Sequence, residues 1–155
     1  MALAVLLPVF AIGALIVVQR GGRPLRAWGV AAAMFAALSL SSWASMETGE
    51  DQEEQVEAVV PDSALESHED AADQFLTLSM AVLGIAAVGL LKGRIGTGAR
   101  VLATIGSLGL VFAGYQVGHS GGALVYQYGA GSAYTNSAVR GVAVTTGEQN
   151  GADDN

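Results

Sequence analysis

Four stretches of this chain run without a charged residue for about the width of a lipid bilayer, and the charges are crowded into the segments between them. The stretches are Met1–Val18, Ala27–Ala44, Phe75–Leu91 and Val101 to about Gly118. A helix rises ~1.5 Å per residue, so each comes close to spanning a ~30 Å hydrocarbon core. Only 14% of the residues are charged and 52% are hydrophobic, whereas soluble domains are about a quarter charged. The expected fold is therefore an all-α, four-helix transmembrane bundle of up-down topology.

The net charge of −7 conceals a segregation. Eleven of the fourteen acids lie between Glu47 and Asp73, and six of the seven bases are Arg20, Arg23, Arg26, Lys92, Arg94 and Arg100. Both basic segments follow odd-numbered spans and the acidic one follows the second, so four spans put the bases on one face and the acids on the other. The positive-inside rule then predicts a cytoplasmic basic face, with both termini and the acidic 47–73 loop outside. The bases form no patch that could face a nucleic acid. The chain has no cysteine, which excludes disulfides, thiolate metal sites and cysteine nucleophiles.

Along the chain, Met1–Val18 reads as an uncleaved first span, because its flanking bases follow the apolar run instead of preceding it and no small-residue cleavage site follows. Gly29, Ala33, Ala37, Ser41 and Ser45 predict a close-packing ridge on the second span, and Gly114, Gly118 and Gly122 predict another on the fourth. Trp43 stands where an interfacial aromatic belongs. Glu47–Asp62 reads as a polar connection, with Val56, Val59 and Val60 on one side of a short surface helix. Ser63 and Glu66 have capping-box spacing, so the third helix is expected to start at Ser63 and to project two turns from the membrane before its span. Lys92–Arg100 reads as a glycine-punctuated turn. The membrane domain is expected over residues 1–134 and a flexible tail over 135–155.

The two histidines are expected near the same membrane face. Leu65, His68, Ala72, Phe75 and Ser79 share a helical face, which directs His68 into the bundle, and Tyr115 and His119 share a face on the fourth helix. Two neutral imidazoles, His68 and His119, are candidate axial ligands to a haem iron. With Glu66 or Glu69 they are candidate ligands to a divalent metal. The competing reading is that they are interfacial residues bonded to acids and backbone. The three later spans hold no Asp, Glu, Lys, Arg or His at depth, which speaks against an ion-coupled transporter. Ser120 beside a histidine lacks the nucleophile elbow of a hydrolase. The 121–131 glycines follow a helix and lack the lysine of a phosphate loop.

The segment GHSGGALVYQYGAG resembles the end of an uncharacterised prokaryotic family of four-span membrane proteins, a domain of unknown function whose last span closes on a pattern like G-H-x-G-G-x-L-V-Y-x-H-G. TGEDQEEQVEAV followed by ALESHEDAAD is similar to that family's outer loop and the start of its third span. The resemblance covers roughly residues 1–134 and falls on His68, Glu69, Gly118, His119, Gly121, Gly122, Leu124, Tyr126 and Gly129. It implies a location in the prokaryotic inner membrane. The chain departs from the pattern at Tyr128, where the family often has histidine, and at Leu7-Pro8, where many members have His-Pro. Both departures remove potential ligands. Some relatives accompany cytochromes, which makes other membrane proteins or cytochromes the implied partners beside the lipid bilayer. The residues favour a structural or accessory membrane component without enzymatic activity; the alternative is a redox protein holding haem b or a metal at the outer ends of spans three and four.

Overall fold

A computed structural model describes residues 2–50 and 60–132. These form four helices: α1 (Ala2–Gln19), α2 (Pro24–Glu50), α3 (Asp62–Val88) and α4 (Gly93–Tyr126). Each is long and apolar enough to cross a membrane. Helix α1 packs on α2 and α4, and α3 packs on α2 and α4, which closes a four-helix ring. The up-down bundle read from the apolar segments is the fold observed. The expected tail at 135–155, and Val56 and Val59 of the expected surface helix, lie outside the described residues.

Local chemistry explains most helix ends. Pro24 opens α2, a position where its missing N–H costs nothing because the first turn has no intrahelical acceptor for it. The two tight connections bend at Gly21 and Gly93, whose φ values of 91° and 85° fall in the left-handed region open mainly to glycine. Helix α3 starts one residue before the predicted position, with Pro61 as N-cap and no side-chain cap bond. The Ser63–Glu66 capping box is therefore not formed. Pro61 already supplies the extended residue at the boundary, and its carbonyl accepts the N–H groups of Ala64 and Leu65.

Leu7, Ala11, Trp28, Phe35, Ala86, Ala103 and Leu110 are fully or almost fully buried at the bundle centre. Val9, Leu40, Ile105 and Phe112 point outward and are mostly exposed, as side chains facing hydrocarbon would be. Glycines let α3 and α4 run close and antiparallel. A Cβ on Gly106 would sit 2.8 Å from Val82, and one on Gly121 would sit 3.1 Å from His68.

Both predicted small-residue ridges are corrected. Ala33, Ala37, Ser41 and Ser45 are exposed, and a Cβ on Gly29 would meet nothing within 4 Å. Gly114 is buried, but Gly118 is exposed and Gly122 has open space beside it. A row at every fourth residue rotates ~40° per step around a helix of 3.6 residues per turn, so it drifts off any one face. The packed faces follow the largest apolar residues instead, Trp28, Phe35 and Leu38 on α2 and Leu110 and Leu124 on α4.

The second basic segment is also corrected. Residues 93–100 form the first two turns of α4, not a loop. Two glycine penalties of ~1 kcal/mol each are overcome because the segment caps α3. Arg100, only 2% exposed, donates from Nε to the Gly89 carbonyl at 2.7 Å and from Nη2 to the Leu91 carbonyl at 2.7 Å. The buried Trp28 ring donates from Nε1 to the Ala86 carbonyl at 2.8 Å. The carbonyls of Ile85, Ala87 and Val88 accept from the N–H groups of Gly89, Leu90 and Leu91. The carbonyls at the C-terminal end of α3 thus receive donors from their own turn, from α2 and from α4, which is what a buried helix end requires.

Candidate functional site

The opposite, acidic end of the bundle holds the residues singled out from the sequence. Helix α1 is the shortest, at 18 residues, against 27 for α2 and α3 and 34 for α4. The acids Asp62, Glu66, Glu69, Asp70 and Asp73 all precede the uncharged part of α3, which starts at Gln74. His68 stands seven residues before Phe75, about 10 Å further along the helix axis, and so outside the apolar segment.

His68 faces the bundle, as its helical position predicted, and its contacts are specific. Nδ1 lies 2.9 Å from the Ser120 Oγ of α4. The Ser120 hydroxyl is also directed at the Val117 carbonyl, 3.2 Å away. A hydroxyl has a single hydrogen, so if that hydrogen goes to Val117, Nδ1–H donates to Oγ and Nε2 is the basic nitrogen. The ring lies across Gly121, where a Cβ would be 3.1 Å from Cε1. Of the Gly121-Gly122 pair, Gly121 is the one that makes room for the imidazole.

Beyond the ring the gap is closed by an apolar cap. Val60, Leu124 and Ala130 are buried together there, with Ala64 and Leu65 packed on them. The chain reverses after α4 so that the Ala130 N–H reaches the Leu124 carbonyl at 3.0 Å. Leu65 is three residues before His68 and Leu124 is four after Ser120, so the cap sits one turn beyond the His68–Ser120 pair. Desolvation by this burial pushes the His68 pKa below its ordinary value of 6.5.

His119 is placed differently. It is exposed, and its ring stacks on the exposed Tyr115 with centroids 5.9 Å apart and planes at 13°. The Tyr115–His119 pairing matches the four-residue spacing. His68, however, meets α4 on the side of Ser120 and Gly121, while His119 points away from the packed faces. No three of His, Cys, Asp or Glu among the described residues stand close enough to hold a metal ion.

A separate feature lies on the outward side of α3. Ser63, Glu66, Ser67, Asp70 and Gln74 line an open polar groove of about 400 Å³, completed by Gln116 of α4. Its lining is hydroxyl, amide and carboxylate, with Ala71 among them. Glu66 and Asp70 share a face of α3 by their spacing; the contribution of Gln116 depends on the α3–α4 register, which no local pattern shows. Ser120, Trp28 and Arg100 were likewise missed as contact-forming residues. Arg100 was read with the topogenic charges, and only the bend at Gly93 brings it back to the end of α3.

No protein-family model, curated protein or solved structure matches the chain, so the four-span resemblance stays a resemblance and no family is identified.

Proposed function

We propose that this multi-pass membrane protein is an accessory component without catalytic activity, which docks a cationic segment of another membrane protein in the polar groove on α3, with its basic end in the cytoplasm and its acidic end outside. The observation that carries the reading is the groove itself. Glu66 and Asp70 present two carboxylates one turn apart, and Ser63, Ser67, Gln74 and Gln116 add hydroxyl and amide groups that can bond an ammonium or guanidinium. Its place just beyond the uncharged part of α3 suits a juxtamembrane basic stretch. Exposed Arg20, Arg23, Arg26, Lys92 and Arg94 at the other end support the orientation.

The test uses a photo-crosslinking residue at Ser67 in native membranes. A discrete heavier adduct is expected, and Glu66→Lys with Asp70→Lys should abolish it while leaving assembly in the membrane intact. Labelling of a cysteine at Ser67 by an impermeant reagent in intact cells, without labelling of one at Thr97, checks the orientation. An adduct indifferent to the charge reversals would refute the docking mode, and the opposite labelling pattern would refute the topology.

A further inference from the structure

Among the described residues, a hydrogen bond from the ring of His68 joins α3 to α4 at the acidic end of the bundle. His68 lies across Gly121, bonds to Ser120, and stands about one turn inside the apolar cluster of Val60, Leu65, Leu124 and Ala130. We propose that His68 is a proton-operated latch: its neutral ring closes the acidic ends of α3 and α4, and its protonation releases them. The inference is independent of the docking groove and of which way the protein faces.

The argument turns on what surrounds the ring. Helix α4 contains no Asp or Glu from Gly93 to Tyr126, and its titratable groups near this end, Tyr115, His119 and Tyr126, are exposed. Helix α1 contains no titratable side chain from Ala2 to Gln19. Near this end α2 carries Glu47, which is exposed, and Glu50. On α3 itself, Glu66, Asp70 and Asp73 lie ~140–200° around the helix from His68, and Glu69 ~100° around. Asp62 is nearly two turns away and exposed. Among the described residues the ring is hydrogen-bonded to the Ser120 oxygen, whose hydroxyl is also directed at the Val117 carbonyl. An imidazolium formed here would, among the described residues, be half-buried beside Ser120, with the carboxylates of α3 ~100° or more around the helix, a state that burial penalises.

The sign follows from linkage. Burial holds the closed-state pKa below 6.5, so below that value the opened state binds more protons than the closed one. The closed form keeps its full stability above pH 6.5 and loses it as the pH falls. Once the ring leaves the gap, its charge reaches water and the carboxylates on the flank of α3.

The experiment uses the full chain in lipid nanodiscs. The protein has no native cysteine, so exposed Ser67 and Gly118 can be converted to cysteines and spin-labelled without interference. The distance distribution is expected to be single at pH 7.5 and to lengthen or broaden by roughly 2 Å or more at pH 5, the scale of helix shifts in switching proteins. His68→Gln, which keeps a neutral hydrogen-bonding side chain, should hold one distribution at both pH values. In parallel, NMR of histidine-labelled parent protein should show the His68 ring gaining its proton below pH 6.5, together with the distance change. The proposal is overturned if His68→Gln responds as the parent does, if the parent distances stay fixed while the ring protonates, or if the ring is charged at neutral pH. If His68→Gln fails to assemble, the titration and distances of the parent still decide.

Discussion

Replacing Arg100 by methionine probes how the end of α3 is satisfied. The guanidinium is 2% exposed and makes two 2.7 Å bonds to the carbonyls of Gly89 and Leu91. A buried acceptor that loses its donor costs ~1–3 kcal/mol, so two carbonyls set a range of about 2–6 kcal/mol. Against this, methionine removes a buried charge whose desolvation costs several kcal/mol. We expect the Arg100→Met chain to lose about 2–4 kcal/mol in a reversible unfolding titration in mixed micelles, the lower part of the range reflecting that relief. Arg100→Lys should fall between, because an ammonium lacks the planar fork that reaches both carbonyls. Arg94→Gln, at an exposed position in the same basic segment, is the control and should stay within ~0.5 kcal/mol of the parent. If Arg100→Met is as stable as that control, water satisfies the carbonyls and the dry, charge-capped helix end is refuted.

Two further substitutions test the packing. Gly89→Ala would put a Cβ 2.5 Å from Trp28 Nε1 and 2.9 Å from the Ala86 carbonyl, so it should displace the indole and destabilise by about 1–3 kcal/mol, measured in the same titration; Gly84→Ala, with open space, should not destabilise. Ser39 is 1% exposed and its hydroxyl has no partner among the described residues, so Ser39→Ala should leave stability unchanged or raise it by up to about 1 kcal/mol, and a loss beyond ~1 kcal/mol would mean that the hydroxyl is bonded.

Spans and charge segregation were legible because they depend on composition over many residues. Membrane helices need long uncharged runs, and four such runs admit few arrangements. The inward face of His68 and the Tyr115–His119 pair were legible for a related reason, since both follow from helical periodicity alone. Contacts that need the rotation of one helix against another were not legible. The ridge at Gly29–Ser45 has the right spacing, but it lost the packed face to Trp28 and Phe35, which bury more apolar area per residue. Nor does any local signal turn Lys92–Arg100 into helix. Its glycines argue for a loop until Gly96 is seen to lie against the Leu91 carbonyl and Arg100 to bond two carbonyls of the preceding turn. The exposure of His119 has the same origin, because four residues from Tyr115 fixes the face of His119 on α4 but not which face α3 covers.

The two ends of the α3–α4 pair are closed by different chemistry, and this sets where the bundle can open. At the basic end a permanently charged guanidinium and an indole N–H hold three carbonyls from two neighbouring helices, a contact that no ordinary pH change removes. At the acidic end the closure among the described residues is the His68 imidazole, the Ser120 hydroxyl and a small apolar cap. Opening proteins part first where buried contacts are fewest, so motion should begin beyond Phe75 and die out before Arg100. The same end carries the polar groove, built from both helices through Gln116. A change in the α3–α4 register there would alter the groove, whereas the same change at the basic end is blocked by the capped terminus. Any coupling between a bound partner and the bundle is therefore expected through the α3–α4 interface at the acidic end, with the Arg100 contact as the fixed point about which it moves.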